Sequence, residues 1–303
     1  MSSLTTLAKE LQKNLTFPVK TNEPLSRYTT WRVGGPADLF VQPLKQEELS
    51  FCLDFANRKG LPVYIMGNGS NLLVKDGGVR GLVIQTKNLC KINVDGQNIQ
   101  ADCGVLLPRL LQVVTENGLG GLEFAAGIPA TIGGAVVMNA GTPAGCLGDV
   151  VKGVEVLTLD GERKLLNRKD INFSYRNSSI KQEGIVVSVN LELPFTDSGF
   201  SREKIKEILA RRHSTQPIKW SNAGSIFKNP PEHYAGQLIE KVGAKGWRVG
   251  EAEVSEKHAN FIINRGQAKA SDVLELISKI QDAVYDQFGI KLELEIEVWG
   301  EGL

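Results

Sequence analysis

An α+β fold, with a larger N-terminal part and a smaller C-terminal domain, is predicted by three features of the sequence. Strand-like and helix-like periodicities alternate from Asp38 to Leu193. A cluster of Pro, Thr, Asp, Ser and Gly at Pro194–Ser201 then interrupts them. Beyond it the chain carries a long amphipathic helix and an alternating run in which Leu292, Leu294, Ile296 and Val298 share one face. A chain of 303 residues is long enough for each part to bury its own core.

Leu4, Leu7, Leu11 and Leu15 share one face of a short N-terminal helix within residues 1–20. Asp38–Val41 reads as a strand. Glu47–Arg58 reads as a helix with Leu49, Cys52, Leu53 and Ala56 inward. Pro62–Met66 is a buried strand closed by the turn-rich Gly67–Asn71, and Leu82–Gln85 is another strand. Leu106–Glu116 has helical spacing and Gly118 just past its end. Val154–Leu159 and Gly184–Leu193 complete this part as strands, so residues 21–196 form one domain of two α+β subdomains divided near residue 80. Residues 201–303 form the second domain. It opens with a charged helix at Arg202–Arg212 and contains a helix capped by Ser271 and stopped by Gly289.

Thirty-five Lys and Arg balance thirty-four Asp and Glu, which excludes bulk attraction to nucleic acid or an anionic membrane; an anionic ligand needs a local site. Cys52, Cys90, Cys103 and Cys146 form no C-x-x-C pair and lie far from the three histidines, so neither a metal site nor a disulfide framework is expected. Charges interrupt the N-terminal leucines as they do not in a signal peptide. The least polar stretch, Gly118–Gly141, is punctuated by Glu123, Pro129, Asn139 and glycines, unlike a membrane span. A soluble cytoplasmic protein, monomeric by default, is the expectation.

Two glycine-rich segments carry the chemical signal. Gly67-Asn68-Gly69-Ser70-Asn71 follows a strand. Its glycines let main-chain N–H groups converge, and its hydroxyl and amides add donors suited to a pyrophosphate. It matches neither the dinucleotide fingerprint nor a Walker loop, and a plain turn is the competing interpretation. The second segment runs from Gly127 through Thr131, Gly133 and Gly134 to Asn139, Ala140 and Gly141. Its small residues let a flat ring lie against the main chain, or let a helix pack closely. Together the two suggest a cofactor with both a diphosphate and a flat ring system.

Five motifs occur in a fixed order: Thr29-Thr-Trp-Arg-Val-Gly-Gly-Pro-Ala-Asp38, the Gly67–Leu73 run, Gly127-Ile-Pro-Ala-Thr-Ile-Gly-Gly-Ala135 ending in Met138-Asn-Ala-Gly141, Phe173-Ser-Tyr-Arg-Asn-Ser178, and Ala223-Gly-Ser-Ile-Phe-Lys-Asn-Pro230. In this the chain resembles the UDP-N-acetylenolpyruvoylglucosamine reductase family, from about Thr21 to Gly302. The resemblance implies an FAD-binding module of the vanillyl-alcohol-oxidase type over residues 21–196, with Ile185 among its cofactor contacts, and a substrate domain after it. It also implies NADPH as electron donor and UDP-GlcNAc enolpyruvate as substrate. Ser178 leads directly into Gly184–Leu193, so the chain is similar to the shorter type without a tyrosine-bearing insertion.

Hydride addition to an enolpyruvyl C=C puts negative charge beside a carboxylate, which calls for a polarising group and a proton donor. The resemblance assigns these roles to Arg176, Ser225 and Glu295. A planar guanidinium suits a carboxylate whose charge is growing. Alternation alone does not choose among Glu293, Glu295 and Glu297; the family's C-terminal pattern places the carboxyl at Glu295, with Trp299 departing from it. Tyr175, Lys228, Asn229 and His258 are the implied substrate contacts. Another FAD oxidase or dehydrogenase, or a nucleotide-sugar-binding protein without catalysis, is the alternative.

Overall fold

The computed structural model describes residues 3–158 and 160–302. Contacts group the chain into two compact units that interleave along the sequence. The first comprises Met1–Thr21, Leu39–Asn68 and Gly81–Arg211, and the second Asn22–Asp38, Gly69–Arg80 and Arg212–Leu303. This grouping differs from the contiguous division expected from sequence, because two short N-terminal segments group with the C-terminal third. Helical and strand content bear out the α+β class.

In the first unit, the helix Leu4–Gln12 starts at Ser3, whose hydroxyl accepts the Thr6 N–H at 3.3 Å, and it buries Leu7 and Leu11. The helix Gln46–Lys59 buries Leu49, Cys52, Leu53, Phe55 and Ala56, and ends at Gly60 with φ 63°. The strand Val63–Met66 pairs in parallel with the Leu82–Gln85 end of Val79–Gln85. A five-stranded sheet, antiparallel at every step, runs in the order Arg163–Asn167, Val151–Leu157, Ile185–Glu192, Asn98–Asp102 and Ile92–Asp95. The hairpin Ile92–Asp102 and the strand Arg163–Asn167 escaped the sequence reading. The strand expected at Val154–Leu159 begins earlier, at Val151; Leu159 lies outside the described residues. Leu107–Glu116 and the short helix Ile132–Val137 belong to the same unit, and their apolar faces join its core.

The charged helix is longer than expected, Ser198–Thr215. Its first turn lies inside the Pro194–Ser201 cluster, because Asp197 caps it by accepting the Phe200 N–H at 2.9 Å. Residues of turn-like composition are thus helical under a local cap.

In the second unit, Arg248–Val249, Ala252–Val254 and Ile262–Asn264 form an antiparallel sheet. The helix Ala270–Phe288 buries Val273, Leu276, Ile277, Ile280 and Val284 in a core shared with Trp31, Leu73, Phe227 and Leu292. Ser271 is not its cap. It sits in the first turn, and the Asp76 carboxylate accepts the N–H groups of Ala270 and Ser271 at 2.8 and 2.9 Å. A carboxylate there satisfies two orphan donors and faces the positive end of the helix. The expected Leu292–Val298 strand contracts to Glu297–Trp299, which pairs in parallel with Leu72–Val74. Among the described residues no helix is long and apolar enough to cross a membrane.

Leu276 is fully buried on the long helix, whereas Leu165 is 57% exposed on an edge strand. Leu276→Ala is expected to lower unfolding free energy by about 2–5 kcal/mol in chemical denaturation, and Leu165→Ala to stay within about 0.5 kcal/mol. Equal losses would show that the helix does not bury this face.

Candidate active site

The two glycine segments meet within the first unit. The Asn68 side-chain amide donates to the Pro129 carbonyl at 2.6 Å, and the Gln85 amide donates to the Gly67 carbonyl at 3.1 Å. A β-carbon on Gly67 would collide with the Thr131 hydroxyl, so glycine is what allows the loop to lie against the second segment. Thr131, 1% exposed, caps Ile132–Val137 by accepting the Gly134 N–H at 3.4 Å. Gly133 lies on Cys103: its N–H donates to the Cys103 carbonyl at 2.9 Å, and an added β-carbon would stand 2.8 Å from Cys103 Cβ. Burial pushes the Cys103 thiol up to about 12, so it stays a neutral packing group. Gly134 is exposed, Ala140 half-buried, and Ile185 opens the central sheet strand.

Asn139 is buried with φ 44°. Its amide donates to the Ser174 carbonyl and accepts the Gly148 N–H, both at 2.9 Å, so both ends of the side chain are used within the chain. It braces the C-terminal end of the second glycine-rich segment. Arg176 lies between the two-residue strands Phe173–Ser174 and Asn177–Ser178 with φ 56°, and its Nη1 donates to the Gly141 carbonyl at 2.9 Å. The guanidinium is therefore tied to the end of the segment that Asn139 braces. Tyr175, 56% exposed, has that guanidinium 5.5 Å from its ring centre.

The second unit gathers Ser225, Lys228 and Glu295. The Glu295 N–H donates to the Ile226 carbonyl at 2.8 Å, and the Lys228 N–H donates to the Glu293 carbonyl at 2.9 Å, around the bridge between Phe227 and Leu294. Glu295 thus lies beside the residue that follows Ser225. On its other side, the Asn71 amide donates to the Glu295 carbonyl at 3.0 Å, and the Glu297 N–H donates to the Asn71 carbonyl at 2.9 Å. Glu293 differs from Glu295: its carboxylate is 75% exposed and 3.4 Å from the Lys228 ammonium. Such a surface pair is worth about 0.2–1 kcal/mol, which leaves the lysine able to change partners.

Asn260 is the residue that sequence reading missed. Its buried side chain accepts the Phe227 N–H at 3.0 Å and donates to the Phe227 carbonyl at 2.8 Å, while its own carbonyl accepts the Ile226 N–H. It replaces a strand partner for the segment after Ser225. Its place two residues after His258, itself an implied substrate contact, was the available signal. Asn229 accepts the Ala235 N–H at 3.0 Å at the start of Ala235–Lys241, and His258 packs edge-on against Phe261 with Nδ1 facing the Asn260 N–H at 3.3 Å. Burial pushes the His258 imidazole below its ordinary value, helped by the nearby Lys245 charge and opposed by a backbone hydrogen bond and Glu240.

A flavin dinucleotide needs converging donors and main chain without side chains in the way. Gly67 and Gly133 stand where a β-carbon would collide, and among the described residues the Asn68 N–H donates to no group in the chain. The residues present fit the group. Comparison with known proteins points the same way. Residues 37–166 match a family described as an FAD binding domain, and residues 216–299 match the C-terminal domain of UDP-N-acetylenolpyruvoylglucosamine reductase. The reductase of Moorella thermoacetica is 65% identical over 99% of both chains, and that of Desulforamulus reducens 46% identical over 98% of this chain and 99% of its own. The crystal structure of the reductase from Thermus caldophilus superposes with a TM-score of 0.81 at 41% identity, covering 91% of this chain and 97% of that one.

The His258 shift has a testable sign. An unfolded chain binds a proton near 6.5 that the folded protein refuses, so stability is retained above that range and lost as pH falls through it. An NMR titration should place the His258 midpoint below 6.5, and a midpoint at or above that value would contradict the burial.

Proposed function

The chain belongs to the family of UDP-N-acetylenolpyruvoylglucosamine reductases, and from that premise we propose which of its groups serve the reaction. The protein is an oxidoreductase of peptidoglycan precursor synthesis. It reduces UDP-N-acetyl-3-O-(1-carboxyvinyl)-glucosamine to UDP-N-acetylmuramate with FAD and NADPH. FAD supplies the two-electron chemistry between NADPH and the substrate double bond.

The rest falls to side chains. Gly67, Asn68, Gly69, Ser70 and Asn71 offer main-chain and side-chain donors to the cofactor's phosphates, and Gly127, Thr131, Gly133, Gly134, Ala140 and Ile185 give its ring a surface free of large groups. Arg176 holds the substrate carboxylate as charge grows there; a guanidinium already fixed by Gly141 loses little side-chain freedom on binding. Ser225 delivers the proton to the carbon beside the carboxylate. Glu295 supports the enolate-like charge distribution next to that serine. Tyr175, Lys228, Asn229 and His258 contact the nucleotide sugar. The enzyme acts as a monomer in the cytoplasm, away from the membrane. The observation that best supports these roles is the main-chain bonding of Glu295 to Ile226, the residue that follows Ser225.

Two outcomes test the roles. Ser225→Ala should leave reduction of the bound flavin by NADPH within a few-fold and slow its reoxidation by substrate by about 10²-fold or more; equal loss of both half-reactions would refute the assignment. Glu295→Gln should reduce kcat by at least about tenfold more than Glu293→Gln or Glu297→Gln, and three comparable effects would mean that the wrong glutamate has been chosen.

A further inference from the structure

Ser225 sits on a short irregular stretch whose main chain is held on either side of it, at Asn222–Gly224 and at Ile226. After it, the Ile226 N–H donates to the Asn260 carbonyl at 2.9 Å. Before it, Asn222 folds back on its own loop, accepting the Gly224 N–H at 2.9 Å and donating to the Trp220 carbonyl at 2.7 Å. Among the described residues the main chains of Ala223 and Ser225 make no hydrogen bond, and Gly224 has φ 78°, so the serine's position depends on the anchors on either side of it.

Among the described residues the Asn222 main chain takes one hydrogen bond, from Thr30, and its neighbour Ser221 accepts the Asn264 N–H at 2.9 Å. The Thr30 hydroxyl donates to the Asn222 carbonyl at 2.8 Å, with a longer contact of 3.4 Å to the Gly69 carbonyl, while the Thr30 N–H donates to that same Gly69 carbonyl at 3.1 Å. One half-buried threonine therefore joins the glycine loop, 39 residues away in sequence, to the serine loop, 192 residues away. A valine would keep the size and the main-chain bond to Gly69 and would leave the Asn222 carbonyl without its donor.

We propose that Thr30 is a positioning residue for substrate reduction: its hydroxyl sets the Asn222–Ser225 loop against the Gly69 loop and so fixes where the Ser225 hydroxyl stands. The proposal rests on Ser225 as the proton donor. A misplaced donor by itself costs orders of magnitude in rate, because proton transfer requires hydrogen-bond reach. The effect should fall on the half-reaction that uses the proton and spare the one that does not.

The experiment compares Thr30→Val and Thr30→Ser in the full chain. With FAD bound, Thr30→Val should slow flavin reoxidation by the enolpyruvyl nucleotide sugar at least tenfold at saturation, keep reduction by NADPH within twofold, and be restored to within threefold by Thr30→Ser. In the flavin-free protein, amide hydrogen exchange over 222–227 should accelerate at least tenfold in Thr30→Val and match the parent in Thr30→Ser. Unchanged exchange, equal slowing of both half-reactions, a Thr30→Ser variant as impaired as Thr30→Val, or a Thr30→Val chain that does not fold would each overturn the proposal, the last by making the hydroxyl a requirement of the whole fold. If exchange responds as stated but Ser225→Ala itself reoxidises at the parent rate, the serine assignment fails and the loop-anchoring role of Thr30 stands.

Discussion

The parallel pairing of Leu72–Val74 with Glu297–Trp299 fixes the C-terminal segment of the second unit. It brings residues 225 positions apart in sequence into one ladder, and it is extended upstream by Asn71, which bonds Glu295 and Glu297 at once. A strand displaced by one residue would turn its side chains to the other face. Asn71 opposes such a slip because its amide and its carbonyl each have a partner that a shifted strand would not supply. Glu295 is thereby set beside Ile226, and Asn71 is fixed against the segment Glu295–Glu297 within the second unit. The loop is also where the chain passes from one unit to the other, at Asn68–Gly69.

Side-chain amides do elsewhere what Asn71 does here. Asn260 pairs with both main-chain groups of Phe227; Asn264, buried, donates to the Trp31 carbonyl and accepts from Gly266 and Ala268; Asn139 spans Ser174 and Gly148. In each case the backbone is irregular and sits against a core, where an unsatisfied polar group costs about 1–3 kcal/mol. An asparagine carries a donor and an acceptor on a short stem, so it completes such a backbone without imposing a strand or helix. Loops free of regular structure are stabilised by these residues. Thr30 belongs with them, its hydroxyl and N–H serving two separate loops.

Legibility in the sequence followed the range of the forces involved. Gln46–Lys59 and Leu107–Glu116 were readable because apolar spacing and the glycine stops at Gly60 and Gly118 are local signals. The hairpin Ile92–Asp102 offered an equally local one, Asp95-Gly96 with φ 55° at the glycine, that the reading passed over. The cap of Ala270–Phe288 was beyond reach, since Asp76 lies 194 residues from the N–H it accepts. Likewise, nothing local reveals that Asn22–Asp38 and Gly69–Arg80 group with the C-terminal third. Chemistry was legible to the extent that it depends on backbone: glycines at Gly67 and Gly133 announce close approach, and the structure supplies what they approach, Thr131 and Cys103. Choosing among three alternating glutamates needed the family's C-terminal pattern, because alternation treats Glu293, Glu295 and Glu297 alike.

Arg176 shows what such a site asks of its fold. A φ of 56° is normally left to glycine, and holding a long side chain there costs on the order of 1 kcal/mol or more. Glycine would relax the turn between Ser174 and Asn177 and remove the guanidinium. The strain persists because the neighbourhood over-determines it: Nη1 is tied to Gly141, Asn139 holds Ser174, and Ser178 donates its hydroxyl to Val137 at 2.8 Å. Asn139 and Arg32 occupy the same uncommon region, at φ 44° and 57°, each inside one of the ordered motifs. Local preference and observed backbone thus disagree at positions where a charged or amide side chain must project from a tight turn. The buried leucines and valines of the two cores, which carry no such demand, stabilise the fold that holds those turns in place.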